Sequence, residues 1–338
     1  MIKFLRKIMI LVLLCCSFVI VSAKTVIYAD GYILMEASSK RVLEGKNIDK
    51  RYLTASICKV LTGIIVIENC NIDDYVLVTK EAISQEGSKI YLSLNDMITV
   101  RDLLYGLLLR SGNDCAYLLA NYTCGSEKTF AMLMNKYAKE IGMKNSTFSN
   151  PSGLDSDSLN YSTPYDMALL MSYAMKNNVF RSIVSSKNYF TETTDKQKLY
   201  FYNKHKLVQR YEYVIGGKTG YTEKSGRTLI TYASKDSMEL VCVTFKSGND
   251  WNEHISLLNN GFNEYKMENV ISQGIIKVDK DYKVTPYLKT NIILPMKKSE
   301  KATINIYLLN NPTEEVIGEL KIYIDKTNVY RENIYRYY

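Results

Sequence analysis

Residues 54–60 of the chain, Thr-Ala-Ser-Ile-Cys-Lys-Val, begin an apolar run that continues to Ile67. The run predicts a buried helix that ends near Asn69. Residues three apart on a helix share a face, so the hydroxyl of Ser56 and the amine of Lys59 can touch. A serine needs a base to become a nucleophile, and a lysine kept neutral by burial and nearby positive charge can be that base. This segment therefore predicts a catalytic serine, Ser56, with Lys59 as its base.

Two short motifs downstream can complete a reaction site. Ser111-Gly112-Asn113 follows Ser56 by 55 residues, and Lys218-Thr219-Gly220 comes 107 residues later. Each motif alone is typical of a turn or of the start of a strand. Splitting a peptide bond through a serine requires a nucleophile, a base, an oxyanion site and a grip on the substrate. The three segments together can supply all four.

The second motif suits proton transfer. Ser111 can bridge Lys59 and Lys218 and pass a proton to the leaving amine. Asn113 can hydrogen-bond both the substrate backbone and the Lys59 side chain. Desolvation and the ammonium group of Lys218 would lower the pKa of Lys59, which makes the amine a usable base.

The third motif suits substrate binding. Lys218 and Thr219 offer a charge and a hydroxyl to a C-terminal carboxylate. Gly220 lets a strand edge approach the substrate, because no Cβ intervenes. The backbone N–H groups of Ser56 and Tyr221 would hold the oxyanion.

The spacing of apolar residues along the rest of the chain predicts an α+β fold in which helices pack on an antiparallel sheet. Alternating apolar residues predict strands, and apolar residues at helical spacing between caps and glycines predict helices. The predicted strands are 32–36, 41–44, 227–234 and 238–245, and the predicted helices after Ser56 are 99–108, 114–119, 127–141, 164–176 and 250–265. Beyond Asn269, short alternating runs between polar turns predict a small all-β domain.

The first 23 residues predict a secretory leader. Three basic residues precede an apolar stretch over residues 8–21, and Val21-Ser22-Ala23 is a small-residue cleavage pattern. An uncleaved membrane anchor is the alternative. With cleavage after Ala23, residues 24–268 would form the catalytic domain and 269–338 the β domain of an exported, extracytoplasmic protein.

Composition excludes several other classes. The chain has 338 residues, of which 46% are hydrophobic, and this suffices for a sizeable core. The net charge is +8 and includes the three basic leader residues, and no basic cluster or nucleic-acid motif accompanies it. The two histidines and the scattered cysteines fit neither a zinc site nor a disulfide framework. We therefore expect no nucleic-acid partner, no metal and no cofactor.

Over about residues 25–265 the chain resembles the low-molecular-mass penicillin-binding proteins that are D-alanyl-D-alanine carboxypeptidases, a family of serine peptidases. Besides the three motifs, the similar segments are 102–108 (Asp-Leu-Leu-Tyr-Gly-Leu-Leu), Gly142-Met143-Lys144-Asn145, Asn150-Pro151, Gly153-Leu154, Tyr161-Ser162-Thr163, Asp166-Met167-Ala168 and 217–222 (Gly-Lys-Thr-Gly-Tyr-Thr). The resemblance implies a penicillin-binding/β-lactamase-like transpeptidase domain followed by a small β domain. It also implies removal of the terminal D-alanine from peptidoglycan pentapeptides through an acyl-enzyme on Ser56. Penicillin and other β-lactam antibiotics would be covalent inhibitors, and the protein would act in the cell wall or on the outer face of the cytoplasmic membrane.

The chain departs from the family pattern at several places. Thr54 stands where the family usually has proline. An Asn-Arg-Asn segment that helps to bind the substrate carboxylate is Asn203-Lys204-His205 here, so Lys204 keeps the charge but loses the bidentate geometry of arginine. Asp250 or a neighbour occupies the place of an arginine often found before the last helix of the catalytic domain. The segment 330–338 is aromatic and basic, which leaves a peripheral membrane contact open.

Two rival functions have different sequence requirements. A class A β-lactamase needs a glutamate in the loop between the second and third motifs, and the loop over residues 143–161 has none. A catalytically weak penicillin-binding sensor or wall-binding protein would keep the fold, and Lys204 and Asp250 motivate that alternative. Turnover of a peptide that ends in D-Ala-D-Ala separates it from the enzyme.

Overall fold

The computed structural model describes residues 26–156, 158–278, 282–310, 312 and 314–338. The predicted leader lies outside these residues. The strands up to residue 245 are β1 (Gly31–Glu36), β2 (Val42–Lys46), β3 (Tyr52–Leu53), β4 (Tyr75–Leu77), β5 (Met97–Thr99), β6 (Tyr161–Ser162), β7 (Asn188–Glu192), β8 (Lys198–Tyr202), β9 (Val214–Thr222), β10 (Gly226–Lys235) and β11 (Met238–Phe245). The α-helices are α1 (Lys59–Asn69), α2 (Lys80–Ser84), α3 (Val100–Tyr105), α4 (Asn113–Cys124), α5 (Glu127–Ile141), α6 (Pro164–Ala174), α7 (Asn178–Ser185), α8 (Lys206–Arg210) and α9 (Asp250–Glu264).

The central sheet is antiparallel, with the strand order β2-β1-β11-β10-β9. Side chains along β11 alternate between two apolar clusters, with Val241 and Val243 in one and Leu240 and Cys242 in the other. Because successive side chains of a strand point to opposite faces, both faces of the sheet are covered. Helices α1 and α6 contribute to the first cluster and α9 to the second. The predicted arrangement of helices on an antiparallel sheet is confirmed.

The hairpin that joins β10 to β11 shows how local sequence fixes the strand register. Asp236 and Ser237 form its turn with φ values of +51° and +64°. Positive φ at both central residues is typical of a type I′ turn, whose twist matches that of the flanking strands. The strand predicted over residues 227–234 is one residue longer in the structure, because Lys235 is the last residue of β10 and pairs with Met238.

Helix ends follow the predicted caps, whereas three α-helices, α2, α7 and α8, were not predicted. The side chain of Thr99 accepts a hydrogen bond from the backbone N–H of Asp102, and Gly142 ends α5 with φ +91°. Helix α2 lies in a stretch for which no helix was predicted, and a π-helical segment, Gly106–Arg110, extends α3. Such segments are frequent at functional sites, and this one leads directly into Ser111.

The described residues beyond α9 form strands, as predicted for an all-β domain. These strands are β12 (Tyr265–Ile271), β13 (Gly274–Ile275), β14 (Pro286–Leu288), β15 (Ile292–Lys297), β16 (Ala302–Leu308), β17 (Val316–Ile324) and β18 (Thr327–Arg336). One sheet has the order β13-β14-β18-β17-β16, and β12 pairs with β15. An apolar cluster that includes Leu294 and Leu320 forms the core of this part. The boundary expected at residue 268 lies inside β12.

Candidate active site

Ser56 lies in a short 3-10 helix, Ala55–Cys58, immediately before α1 begins at Lys59. In a 3-10 helix the side chains at i and i+3 are aligned, so this segment brings Ser56 and Lys59 into line. Ala55 has a φ of +46°, which is uncommon for a residue with a Cβ. Backbone strain of this kind concentrates at functional sites, and here it directly precedes the candidate nucleophile.

A cavity of about 410 Å³ opens above Ser56. It lies between the loop that carries Ser111, the edge strand β9 and the start of α9. Its lining residues are Ser56, Ser88, Ser111, Lys204, Lys206, Thr219, Gly220, Tyr221, Arg227, Thr228, Asp250 and Trp251. The cavity therefore brings together residues from all three sequence motifs.

The amine of Lys59 is fully buried and has three acceptors. Its Nζ lies 3.0 Å from Oγ of Ser56 and 2.8 Å from Oδ1 of Asn113, and it also donates to the carbonyl oxygen of Ser152. Burial lowers the pKa of Lys59 to about 8, and the positive charge of Lys204 acts in the same direction. Near neutral pH a fraction of this amine is unprotonated, as a general base must be.

Ser111 and Asn113 follow the π-helical segment and reach the same site. Ser111 has φ +67°, and its buried side chain lines the cavity. Its hydroxyl has no hydrogen-bond partner among the described residues, so the expected bridge to Lys59 and Lys218 is not formed. Nδ2 of Asn113 donates to the carbonyl oxygen of Glu86 at 2.6 Å. This bond orients Oδ1 of Asn113 toward Lys59.

The second lysine of the site, Lys218, is also buried. Its side chain is 2% exposed, and its Nζ donates to the carbonyl oxygen of Thr219 at 2.8 Å. Burial lowers the pKa of Lys218 well below its usual range, and the positive charges of Lys59 and Lys204 lower it further. Two buried amines thus repel each other, which disfavours the state with both protonated.

Gly220 allows β9 to pack against the segment that carries the candidate nucleophile, Ser56. A Cβ at this position would lie 2.4 Å from Oγ1 of Thr228 and 3.0 Å from the backbone nitrogen of Ser56. A larger residue would therefore force β9 away from Ser56. Tyr221, the next residue, lines the cavity with its side chain 65% exposed. The two segments expected to supply oxyanion N–H groups meet at this glycine.

The hydrogen bond from Lys59 to the carbonyl oxygen of Ser152, in the loop after α5, was not predicted from the sequence. Oδ1 of Asn150 accepts hydrogen bonds from the backbone N–H groups of Ser152 and Gly153, at 3.1 and 2.6 Å. Nδ2 of Asn150 donates to the carbonyl oxygen of Leu154 at 3.0 Å. These bonds fix the turn, and Lys59 donates to the carbonyl of Ser152. Asn, Pro, Ser and Gly together predicted a loop, but nothing local indicates which side chain its carbonyl faces.

The outer part of the cavity is rich in positive charge. Nζ of Lys204 donates to Oγ of Ser88 at 3.1 Å, and burial followed by the charge of Arg110 lowers the pKa of Lys204. Asp250 pairs with Arg227, a cavity residue that sequence reasoning also missed. Because the lining carries more cationic than anionic side chains, the cavity suits an anionic ligand. Among the described residues, no cluster of histidine, cysteine or carboxylate side chains has the arrangement of a metal site.

Comparison with known proteins identifies similar sequences. A family model described as D-alanyl-D-alanine carboxypeptidase matches residues 19–249. The D-alanyl-D-alanine carboxypeptidase DacF of Bacillus subtilis is 34% identical over 223 residues, and DacC of Escherichia coli is 32% identical over 249 residues. These alignments cover 64% and 69% of this chain but 57% and 61% of the two relatives. The chain thus spans less than two thirds of the length of these curated relatives.

Solved structures share the fold. The D-alanyl-D-alanine carboxypeptidase DacD from Francisella tularensis has a TM-score of 0.76 at 23% identity and covers 95% of this chain and 96% of its own. Penicillin binding protein 5 from Haemophilus influenzae has a TM-score of 0.77 at 25% identity, with coverage of 92% and 97%. Since more than nine tenths of this chain is covered, the likeness includes the C-terminal strands.

Proposed function

The chain belongs to the D-alanyl-D-alanine carboxypeptidase family, and on that premise we propose that it is a serine-type carboxypeptidase that removes the terminal D-alanine from peptidoglycan stem peptides. The observation that carries the proposal is the 3.0 Å contact between the buried amine of Lys59 and the hydroxyl of Ser56. A base within hydrogen-bond reach of the proton that it abstracts is what nucleophilic catalysis by serine requires.

Acylation would begin when Oγ of Ser56 attacks the carbonyl of the D-Ala-D-Ala bond while neutral Lys59 takes the hydroxyl proton. The backbone N–H groups of Ser56 and Tyr221 would stabilise the oxyanion of the tetrahedral intermediate. The C–N bond then breaks, and the proton passes from Lys59 through Ser111 to the leaving amine. The unpartnered hydroxyl of Ser111 suits this transfer, because rotation toward a bound substrate breaks no protein hydrogen bond. Attack by water on the acyl-enzyme would release the shortened peptide and restore Ser56.

Substrate binding would use the edge of β9. An extended peptide can add to an exposed sheet edge through main-chain hydrogen bonds, and Gly220 leaves room for it. Lys218 and Thr219 would bind the terminal carboxylate, with Lys204 at the rim of the cavity, and Asn113 would bind the peptide backbone. β-Lactam antibiotics offer a reactive carbonyl and a carboxylate to the same groups, so we expect them to acylate Ser56 covalently.

The decisive experiment measures turnover. The purified protein is incubated with a peptide that ends in D-Ala-D-Ala, and free D-alanine is quantified, while labelled penicillin reports on acylation of Ser56. We expect both signals from the wild-type chain and neither from Ser56→Ala. Penicillin labelling without D-alanine release would favour the weak penicillin-binding sensor, and D-alanine release by Ser56→Ala would refute the assignment.

We further propose that the protein is exported and acts outside the cytoplasmic membrane, with residues 24–268 as the peptidase unit and 269–338 as the β unit. The leader on which export depends lies outside the described residues. Among the residues that the structure does describe, no helix has the length and apolarity needed to cross a bilayer. A peripheral membrane contact stays a prediction, which co-sedimentation of the chain with anionic lipid vesicles tests. Cell fractionation with and without residues 1–23 tests export.

A further inference from the structure

Arg227 and Asp250 form a pair at the outer end of the cavity. Nε of Arg227 lies 2.9 Å from Oδ2 of Asp250, and Nη2 lies 2.7 Å from Oδ1. The carboxylate is nearly buried, with 4% of its side chain exposed, whereas the arginine side chain is 43% exposed. Oδ1 of Asp250 also accepts the backbone N–H of Trp251 at 2.8 Å. The carboxylate is thus fixed in the protein and anchors one edge of a guanidinium group that opens to the cavity.

The anchored guanidinium keeps unused donors. Arginine carries five N–H groups in a planar fork, and Asp250 occupies those on the Nε and Nη2 edge. The N–H groups of Nη1, together with the second one of Nη2, have no protein acceptor among the described residues. This second edge can bind a carboxylate through two parallel hydrogen bonds.

The register of the sheet places this edge next to the third motif. Arg227 on β10 pairs with Tyr221 on β9, and Thr219 lies two residues before Tyr221 on the same strand. Directly opposed residues and residues two apart share a sheet face, so Arg227 and Thr219 lie diagonally on one face, within reach of a long side chain. Both line the cavity above Ser56. An anion held by the hydroxyl of Thr219 can therefore also meet the guanidinium of Arg227.

Lys204 is less suited to the same task. Its ammonium group donates to Oγ of Ser88 at 3.1 Å, and a lysine offers a point charge rather than a planar fork. Asp250 or a neighbour occupies the place of an arginine that is often found before the last helix in the family that this chain resembles. The structure supplies a guanidinium to the same cavity from β10 and uses Asp250 to hold it.

We propose that Arg227, held by Asp250, binds the terminal carboxylate of the substrate and sets the preference of the enzyme for peptides with a free C-terminus. This inference rests on the proposed function, because it names the residue that binds the carboxylate of the leaving D-alanine in that reaction. Arg227 acts as a specificity-determining residue, and Asp250 acts through it as a positioning residue. Binding by Arg227 would give this chain bidentate recognition of a carboxylate, although position 204 is a lysine and position 250 an aspartate.

The test uses two thioesters with one acyl group, diacetyl-L-lysyl-D-alanine. Their leaving groups are mercaptoacetate, which carries a carboxylate, and mercaptoacetamide, which is neutral. In both, attack by Ser56 forms an ester bond and breaks the C–S bond, and the departing sulfur takes the serine proton by way of Lys59. The ratio of the two kcat/KM values measures recognition of the carboxylate separately from acylation, so a merely structural role of Arg227 would not move it.

We expect the wild-type ratio to favour the carboxylate strongly, and the double variant Arg227→Gln/Asp250→Asn to lower it by about 10- to 100-fold, as for the loss of hydrogen bonds to a charged group. The double variant leaves no buried carboxylate unpaired, so the ratio of the two kcat/KM values, rather than either value alone, reports on the contact with the carboxylate. Arg227→Lys keeps the charge without the fork and should give an intermediate ratio. Lys204→Gln should lower the ratio less than the double variant does.

A matched control is Arg181→Gln/Glu239→Gln, which removes an arginine–glutamate pair outside the cavity and should leave the ratio unchanged. The inference is overturned if the double variant keeps the wild-type ratio, if both thioesters lose rate together, or if Lys204→Gln causes the larger loss. If neither thioester acylates Ser56 in the wild-type chain, the proposed function itself fails. If both thioesters acylate Ser56 but the ratio of their kcat/KM values does not change in the Arg227 variants, only the present inference fails.

Discussion

Replacing Asn113 by aspartate should slow the acylation of Ser56 at neutral pH by raising the pKa of Lys59. Oδ1 of Asn113 lies 2.8 Å from Nζ of Lys59, so the substitution puts a full negative charge against a buried amine. A nearby opposite charge favours the protonated form of a lysine. Because only the neutral amine can take the proton of Ser56, the acylation rate of the variant would reach its maximum at a higher pH than that of the wild type.

The structure sets the size of this effect. With a pKa of about 8, Lys59 is neutral in about 10% of wild-type molecules at pH 7. An opposite charge within about 4–6 Å shifts a pKa by about 1–3 units. The neutral fraction at pH 7 then falls to between about 1% and 0.01%, and the acylation rate falls about 10- to 1000-fold. The loss shrinks as the pH rises, since the variant reaches its plateau about 1–3 units above the wild type.

The assay is the second-order rate constant for labelling of Ser56 by a fluorescent penicillin, measured from about pH 6 to pH 10. Asn113→Ser is the neutral control, which disturbs the same contact without adding charge and should keep its midpoint within about one unit of wild type. Thermal unfolding of each variant checks that the fold is retained. A midpoint for Asn113→Asp that equals or lies below the wild-type midpoint would refute the reasoning.

Gly220→Ala should lower the acylation rate by about 10-fold or more, because its Cβ would lie 3.0 Å from the backbone nitrogen of Ser56. Gly248→Ala, whose Cβ has nothing within 4 Å, is its control, and equal labelling rates in the two variants would contradict the packing argument. Glu300→Gln should reduce the free energy of unfolding in urea by about 3–5 kcal/mol, because it leaves the charge of Arg41 buried without its partner. An unchanged free energy of unfolding would show that the pair contributes nothing. Lys218→Met should abolish penicillin labelling yet raise the thermal midpoint at pH 7, because a buried amine is costly below its unfolded-state pKa; a lower midpoint would count against this.

The helices and strands that the sequence predicts well are those whose ends are set by residues nearby in the chain. Helix α5 begins and ends where predicted, because the cap at Ser126 and the glycine at position 142 act within a few residues of each end. Strands β10 and β11 are recognisable from their apolar runs and from the turn residues between them. The π-helical segment, Gly106–Arg110, escaped prediction, because its apolar residues continue the pattern of an ordinary helix.

The order and spacing of three motifs suffice to nominate the reacting groups of the site, because each motif carries its chemistry in adjacent residues. The sequence by itself thus determined the fold class and made Ser56, Lys59 and Lys218 the candidate reacting groups. Only the tertiary structure decided their environment: the carbonyl of Ser152 that holds Lys59, and the pairing of Arg227 with an aspartate 23 residues away. Burial, pKa and hydrogen-bond partners depend on atoms brought together across long stretches of chain, and local sequence does not encode those distances.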